Sequence, residues 1–202
     1  MTARLLIATT NRGKREEISD LLSSLELELI FPDQLAQKLE VEESGDTYAE
    51  NALLKARAYA LKFALPALAD DTGLEVDALD GNPGLHSARY LNVAGATDAD
   101  RRRKLIANLT GKPRPWIAHF ICVVALVLPT GEEYLVSGAV HGEILPKERG
   151  EGGFGYDRLF WIPEATKTMA ELGMAEKNAI SHRARAVQAM IPYLIEHVVN
   201  RG

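Results

Sequence analysis

Hydrophobic and polar positions alternate in blocks at the start of the chain. A short apolar run at residues 4–8 ends in a polar stretch at residues 9–14. The next aliphatic positions fall three or four residues apart, at Ile18, Leu21, Leu22 and Leu25. The first run is typical of a buried strand, and the spacing that follows is typical of one face of an amphipathic helix. We therefore expect the order strand, polar loop, helix.

Two further helices are predicted from their first residues. Thr47 precedes Glu50 by three positions, the spacing of a capping box, and the helix that begins there keeps one apolar face until Pro66. Thr97 and Asp100 have the same spacing before a segment that ends near Gly111. Both segments are predicted as helices.

The remaining apolar runs predict a sheet. Residues 67–69 form a short apolar run, typical of a buried strand that ends where two aspartates follow. Two long runs, residues 116–128 and 134–145, are separated by a Pro-Thr-Gly-Glu turn and predict a hairpin, the first strand of which is apolar on both faces and so central. Residues 156–162 are strand-like, and apolar positions from Val187 to Val198 predict a final helix.

Composition narrows the classes of protein. The chain has 202 residues, of which 47% are hydrophobic and 25% charged, and its net charge is −5. This balance excludes a disordered chain and disfavours a basic surface for nucleic acid. The single cysteine, Cys122, cannot form an internal disulfide, and no run reaches the ~20 apolar residues of a membrane span. The N-terminus does not resemble a signal peptide, so we expect a cytoplasmic protein that binds neither nucleic acid nor membrane.

The polar stretch 9–14 is a candidate phosphate loop. It places hydroxyls, an amide, a glycine and two cations between a strand and a helix N-terminus, where free N–H groups favour an anion. It lacks the pattern of the P-loop. A polar turn with solvated Arg12 and Lys14 is the alternative.

Asp70 and Asp71 are a candidate metal site. Adjacent carboxylates at the end of a buried strand are costly unless a cation joins them. Mg²⁺ suits such a place because it prefers one or two carboxylates together with phosphate oxygens, and Glu42 and Glu43 could add ligands. In the alternative interpretation, Asp70 caps a turn and Asp71 is solvated.

Three other segments carry candidate ligand groups. Asn51 and Lys55 lie four residues apart and share a helix face, from which the ammonium could reach a phosphate. Residues 177–183 concentrate hydrogen-bond donors, and residues 152–157 combine glycines with two aromatic rings, as a base-stacking platform needs. A surface lysine and a β-bulge are the alternatives. The basic run 101–104 is interpreted as a solvated helix face.

Six motifs in order, spread from residue 9 to residue 183, closely resemble the inosine triphosphate pyrophosphatase family. They are Thr9–Lys14, Glu50–Arg57, Ala69–Leu74, Pro83–Tyr90, Gly152–Asp157 and Lys177–Arg183. The resemblance implies an α/β fold with a long twisted mixed β-sheet, in which flanking helices form two lobes around a central cleft. It further implies one domain over residues 1–202, a homodimer and a requirement for Mg²⁺.

The resemblance also implies a reaction. Enzymes of this family hydrolyse non-standard purine nucleoside triphosphates such as ITP, dITP and XTP to the monophosphate and pyrophosphate, and so prevent misincorporation into DNA and RNA. Asp71 matches the proton acceptor and metal ligand. Glu42 matches the second metal ligand, with the adjacent Glu43 left open, and Thr72 stands as a substrate-binding residue where serine is common.

The substrate-binding residues follow from the same resemblance. The triphosphate would be held by Thr9, Thr10, Asn11, Arg12, Gly13, Lys14 and Lys55. The base and sugar would be held by Phe154, Gly155, Tyr156, Asp157, Lys177, His182 and Arg183. Arg158 departs from the family pattern, which has proline there. A non-catalytic nucleotide-binding module is the competing hypothesis, which the intact carboxylates disfavour.

Overall fold

Eight strands form one mixed sheet in the computed structural model, which describes residues 2–201. They are β1 (Ala3–Ile7), β2 (Leu27–Ile30), β3 (Ala67–Val76), β4 (Pro83–Gly84), β5 (Ile117–Val127), β6 (Glu133–Ile144), β7 (Phe160–Ile162) and β8 (Lys167–Thr168). The strand order is β2-β1-β3-β5-β6-β7-β8, and β4 pairs with β3. The predicted hairpin is confirmed as β5 and β6, and β5 lies in the middle of this order.

The described residues form α-helices, two of which, those after Thr47 and Thr97, begin where the capping signals predict. They are α1 (Arg12–Leu21), α2 (Tyr48–Phe63), α3 (Asp98–Leu109), α4 (Met174–Ile180) and α5 (His182–His197). Thr47 accepts a hydrogen bond from the Glu50 amide, and Thr97 accepts one from the Asp100 amide, so both predicted capping boxes are confirmed. Within residues 2–201, no helix combines the length and the apolar character that crossing a membrane requires.

The chain divides into two compact units. Unit 1 comprises the chain up to Asp71, residues 122–138 and the chain from His182 onward. Unit 2 comprises residues 72–121 and 139–181. Strands β3, β5 and β6 contribute to both units because the boundaries fall inside them.

Unit 1 has helices on both faces of its strands. Strand β1 pairs in parallel with β2 and with β3. Successive side chains of a strand point to opposite faces. Leu5 and Ile7 accordingly pack in one apolar cluster with residues of α1 and α5, whereas Leu6 packs in another with residues of α2.

Unit 2 has its own apolar core beneath α3. Leu105 and Leu109 of α3 pack with Leu74 of β3, Phe120 of β5 and Phe160 of β7. The antiparallel pairs β3–β4, β6–β7 and β7–β8 lie within this unit.

Two predicted strand boundaries are wrong. Strand β3 does not end before the two aspartates but continues to Val76, so Asp70 and Asp71 lie inside it. Carboxylates fit there because cationic side chains accompany them, as described below. Conversely, of residues 156–162 only Phe160–Ile162 form a strand. The segment before it is held in tight turns by bonds from the Asp157 amide to the Phe154 carbonyl and from the Leu159 amide to the Tyr156 carbonyl.

Candidate active site

Asp70 lies at the centre of a buried cluster of charges in unit 1. Its side chain has no exposed area, and its Oδ2 lies 2.9 Å from Lys14 Nζ. The Nε and Nη2 atoms of Arg183 donate to the same oxygen at 3.3 Å each. Arg183 is itself 1% exposed, and its Nη1 donates to Glu17. Each of these buried charges therefore has at least one partner of opposite sign.

The pKa values of this cluster follow from the pairing. Burial alone would raise the pKa of Asp70, but the positive charges of Lys14, Arg183 and Lys55 outweigh it and hold that pKa well below its ordinary value. Burial would likewise lower the pKa of Arg183, but Asp70 and Glu17 outweigh it and raise that pKa. Asp70 is consequently an anion throughout the physiological range.

Asp71 has a different environment on the α2 side of the sheet. Asn51 Nδ2 donates to its Oδ2 at 3.2 Å, and Lys55 Nζ lies 3.7 Å from its Oδ1. Asn51 Oδ1 accepts a hydrogen bond of 2.8 Å from the Gly45 amide, which fixes the amide group of Asn51. The predicted shared face of Asn51 and Lys55 is thus confirmed, and it is directed at Asp71.

The pKa of Asp71 is raised from its ordinary value. Burial is the largest cause, and Glu43 adds to it, whereas Lys55 and Lys14 oppose it. The side chain keeps 12% of its area exposed. Of the two adjacent aspartates, Asp71 is therefore the one that solvent reaches and that holds a proton more readily.

Lys55 links three acidic residues. Its Nζ donates to the Asp70 carbonyl oxygen at 2.7 Å and to Glu43 Oε1 at 2.5 Å, in addition to its approach to Asp71. Burial would lower the pKa of Lys55, but the negative charges of Asp70, Asp71 and Glu43 raise it. A fixed ammonium beside two carboxylates is well placed to bind an anionic ligand as a point charge.

The candidate phosphate loop is shorter than predicted: residues 9–11 lie between β1 and α1, and residues 12–14 form the first turn of α1. Asn11 is the N-cap of α1, where its Oδ1 accepts from the Lys14 amide at 3.1 Å, and its own amide donates to Thr9 Oγ1 at 3.2 Å. Arg12 is exposed and pairs with Glu16 at 2.8 Å, whereas Lys14 is mostly buried against Asp70. The two predicted cations of this loop therefore differ, since only Lys14 is held in the charge cluster.

The charges of unit 1 fit a divalent cation. Four carboxylates contact three cationic side chains there, namely Glu17, Glu43, Asp70 and Asp71 with Lys14, Lys55 and Arg183. The formal net charge of these side chains is therefore −1, and a bound divalent cation would change the net charge of the cluster to +1. No group of three or more His, Cys, Asp or Glu side chains in residues 2–201 forms a metal cage. A site with few carboxylates that shares its ion with phosphate oxygens is typical of Mg²⁺.

The two candidate glutamates differ in their contacts. Glu43 is half-buried and pairs with Lys55, whereas Glu42 is exposed. Both precede Gly45, which contacts Asn51. The structure therefore places both glutamates on the segment that leads into α2, with Glu43 held by a cation.

The glycine-rich segment of unit 2 forms a second cluster. Asp157 Oδ2 accepts from Lys177 Nζ at 2.7 Å and from the Phe154 amide at 3.0 Å. Lys177 Nζ also lies 5.0 Å from the centre of the Phe154 ring, a cation–π contact. A Cβ on Gly153 would lie 2.2 Å from the Asp157 carboxylate, and its φ is +69°, so this position requires glycine. The segment thus presents a fixed lysine and an aromatic ring together.

The other predicted site residues are distributed between the units. Thr72 follows Asp71 on β3 and is half-buried in unit 2. Tyr156 is buried, and its hydroxyl donates to the Ser87 carbonyl at 2.9 Å. His182 is the buried first residue of α5 in unit 1. Arg183 contacts Asp70 and Glu17, both in unit 1.

Glu17 is a buried charged residue that none of the sequence motifs indicates, and Arg102 is buried although its basic run predicts a solvated face. Glu17 is buried on α1, and its position four residues before Leu21 on the apolar face was an available signal. Arg102 belongs to the basic run predicted to be solvated, but it is 7% exposed and pairs with Glu148. The interpretation as a solvated face is wrong for Arg102. The fold brings its guanidinium against Glu148, which is 46 positions away in the sequence and so could not be foreseen from the helix alone.

The fold is of the α/β class, and the β1–α1 junction places Lys14 against Asp70 of β3 on a mixed sheet, an arrangement suited to a phosphorylated ligand. The sequence model of the Ham1 family matches residues 5–193, and the chain belongs to that family.

Individual relatives agree with this membership. The dITP/XTP pyrophosphatase of Geobacter sulfurreducens is 47% identical over 192 residues, which are 95% of this chain and 96% of that protein. A HAM1 protein from Coxiella burnetii is 39% identical, with a TM-score of 0.86 over 96% of this chain and 99% of its own. The Ham1 protein of Staphylococcus aureus is 37% identical, with a TM-score of 0.84 over 96% and 98%.

Proposed function

We propose that this chain is a nucleoside-triphosphate pyrophosphatase that hydrolyses the non-standard purine nucleotides ITP, dITP and XTP to the monophosphate and pyrophosphate. The observation that carries this proposal is the solvent-accessible Asp71 held between Asn51 and Lys55. Relatives that bear the name dITP/XTP pyrophosphatase and share up to 47% identity over nearly the whole chain support it.

Asp71 would accept the proton of the water that attacks the α-phosphorus. Its raised pKa makes it a better base than an ordinary aspartate. The hydrogen bond from Asn51 orients one carboxylate oxygen and leaves the other toward Lys55. In this assignment Asn51 is a positioning residue, since it acts through Asp71.

Lys14 and Lys55 would bind the phosphate oxygens and stabilise the leaving pyrophosphate. The exposed residues Thr10, Asn11 and Arg12 and the amides at the start of α1 would add donors around the same anion. Asp70 anchors Lys14 at 2.9 Å. Arg183 anchors Asp70 in turn, so we propose a positioning role for Arg183 in place of contact with the base.

Mg²⁺ is the proposed cofactor, with Asp71 and Glu42 as its protein ligands. When bound, it would neutralise negative charge on the phosphates. The excess negative charge of the cluster favours a divalent cation. Pairing of Glu43 with Lys55 supports Glu42 as the ligand, because one oxygen of Glu43 already accepts from an ammonium at 2.5 Å.

The base would be bound by Phe154, Tyr156, Asp157, Lys177 and His182. A 6-oxo purine presents an acceptor to the lysine donor, whereas the 6-amino group of adenine would place donor against donor. An unpaired buried donor is a strong source of discrimination, potentially about 10⁴-fold. The ion pair between Lys177 and Asp157 fixes the lysine in a buried setting.

Release of pyrophosphate from dITP, XTP, dGTP and dATP tests the function, each measured with Mg²⁺ and with EDTA. We expect turnover that requires Mg²⁺ and strongly prefers dITP and XTP. Asp71→Asn should lose most turnover and still bind nucleotide. Binding of nucleotide without turnover by the wild type would instead indicate the non-catalytic module.

Three further expectations accompany this function. We propose that residues 1–202 act as one functional domain, that the enzyme is a homodimer and that it works in the cytoplasm without binding nucleic acid. Sedimentation velocity tests the dimer, and subcellular fractionation tests the location. A gel-shift assay with oligonucleotides at low salt tests the absence of nucleic-acid binding.

A further inference from the structure

Both backbone polar groups of Gly155 are held by side chains of α3. The Gly155 amide donates to Asp98 Oδ2 at 2.7 Å, and its carbonyl accepts from Arg102 Nη1 at 2.7 Å. Asp98 and Arg102 are four residues apart, so they share one face of the helix. Gly155 itself has a φ of +59° and lies in a turn, where no strand partner fixes its peptide groups.

Arg102 is fixed by more than one contact. Its Nε and Nη2 donate to the two carboxylate oxygens of Glu148 at 2.8 and 3.1 Å, while its Nη1 holds Gly155. Its side chain is 8% exposed. Burying a guanidinium is costly unless its donors are paired, and a bidentate pair restricts its orientation. The carbonyl of Gly155 is therefore bound by a donor that has little freedom to move.

Asp98 is equally restrained. Arg101 donates to its Oδ1, and the Gly155 amide donates to its Oδ2. Partial burial would raise the pKa of Asp98, but these donors lower it, so it is ionised at neutral pH. A charged acceptor gives the shorter and stronger class of hydrogen bond to the amide.

Gly155 lies between the residues that carry the proposed base site. Phe154 precedes it and makes a cation–π contact with Lys177. Asp157 follows two positions later and accepts a hydrogen bond from the same lysine. The Tyr156 hydroxyl is bound to Ser87. The glycine-rich segment is therefore held by hydrogen bonds at Asp157, Tyr156 and Gly155. Side chains of α3 supply the hydrogen bonds at Gly155.

Arg158 extends this network. Its Nη2 donates to the Glu151 carbonyl at 2.9 Å, and its Nη1 lies 3.8 Å from Glu148, the partner of Arg102. The proline typical of the family could form neither contact. In this chain an arginine joins the beginning of the glycine-rich segment to the carboxylate that orients Arg102.

We infer that Asp98 and Arg102 are positioning residues for substrate selection, which hold Gly155 and thereby place Phe154, Asp157 and Lys177 against the purine base. The inference rests on the proposed function. It assigns α3 a role in the choice of base and none in the chemistry at phosphorus, because Asp98 and Arg102 hold the glycine-rich segment of their own unit.

Steady-state kinetics of Asp98→Ala, Asp98→Asn and Arg102→Met with dITP and dATP test it. We expect Asp98→Ala and Arg102→Met to raise KM for dITP by roughly 10- to 100-fold, with kcat changed much less, because a misplaced binding group weakens substrate binding. The ratio of kcat/KM for dITP to that for dATP should fall. Asp98→Asn should keep a KM and a substrate ratio close to those of the wild type, since its amide oxygen can still accept from the Gly155 amide.

Arg103→Met is the matched control. Arg103 is the neighbour of Arg102 on α3, but its side chain is 74% exposed and pairs with Asp100. It should behave as wild type. Hydrogen exchange of the peptide that contains Gly155 gives a second measurement that does not depend on activity, and protection there should drop in Asp98→Ala and not in the control.

The outcomes separate the two claims. Wild-type KM, wild-type substrate ratio and wild-type protection in Asp98→Ala and Arg102→Met would overturn the positioning role while leaving the pyrophosphatase function intact. Equal loss of kcat in both variants with unchanged KM would also overturn it. Failure of the wild type to hydrolyse any of the nucleotides would overturn the proposed function, and the inference with it.

Discussion

Asp70 and Asp71 are adjacent on β3, yet their pKa values shift in opposite directions. Successive residues of a strand point to opposite faces, so Asp70 meets Lys14 and Arg183 whereas Asp71 meets Asn51 and Lys55. Cations outweigh burial at Asp70, and burial outweighs the cations at Asp71. One residue is thus suited to hold the site together and the other to accept a proton.

Replacing Asp70 should lower the stability of the fold, whereas replacing Asp71 should not. Asp70→Asn removes the charge that two buried cations face, and we expect it to lower the free energy of unfolding by about 3–5 kcal/mol. Asp71→Asn removes a partly desolvated charge, and we expect it to leave that free energy unchanged or to raise it. Urea unfolding at pH 7 in EDTA measures both. Greater loss of stability in Asp71→Asn than in Asp70→Asn would contradict the assignment.

The stability advantage of Asp71→Asn over wild type should depend on pH. In the metal-free protein the folded-state pKa of Asp71 lies above the ordinary value of 3.8. The contribution of Asp71 to wild-type stability therefore falls as the pH rises from about 4 through the folded-state pKa, since Asp71 binds more protons in the folded state than in the unfolded state there. The advantage should grow over that interval and then level off. Urea titrations of both proteins in EDTA at a series of pH values measure it.

Glu42→Gln should weaken Mg²⁺ binding more than Glu43→Gln. Glu42 is exposed and proposed as the ligand, whereas Glu43 is paired with Lys55. We expect the Mg²⁺ concentration for half-maximal turnover to rise roughly 10- to 100-fold in Glu42→Gln, the range seen when groups that support a metal are lost. Glu43→Gln should chiefly alter KM through Lys55. A larger shift in Glu43→Gln would make Glu43 the ligand.

Lys55→Met should reduce kcat/KM for dITP by roughly 100-fold or more, because the ammonium that would stabilise the leaving pyrophosphate is lost. Lys62→Met is the control on the same helix. Lys62 lies in the last turn of α2, is exposed and donates to the Lys38 carbonyl at 3.1 Å, so its removal should leave turnover unchanged. Equal kinetic constants for the two variants would contradict a role of Lys55 in the active site.

Features set by nearby residues could be predicted from the sequence. The capping boxes at Thr47 and Thr97 join residues only three positions apart, and both form as expected. Asn51 and Lys55 share a helix face through spacing alone, and the hairpin of β5 and β6 follows from two long apolar runs with a turn between them. The motifs along the chain were sufficient to indicate the family.

Only the tertiary structure decided which charges are buried and what they contact. Asp70 finds Arg183 across 113 positions, and Glu17 finds the same guanidinium across 166. Arg102 lies in a run of cations, a pattern that is typical of a solvated helix face, yet it is buried and paired with Glu148. The physical reason is that a charge can be buried only where a partner of opposite sign meets it, and for these residues the fold supplies the partner from a distant part of the chain.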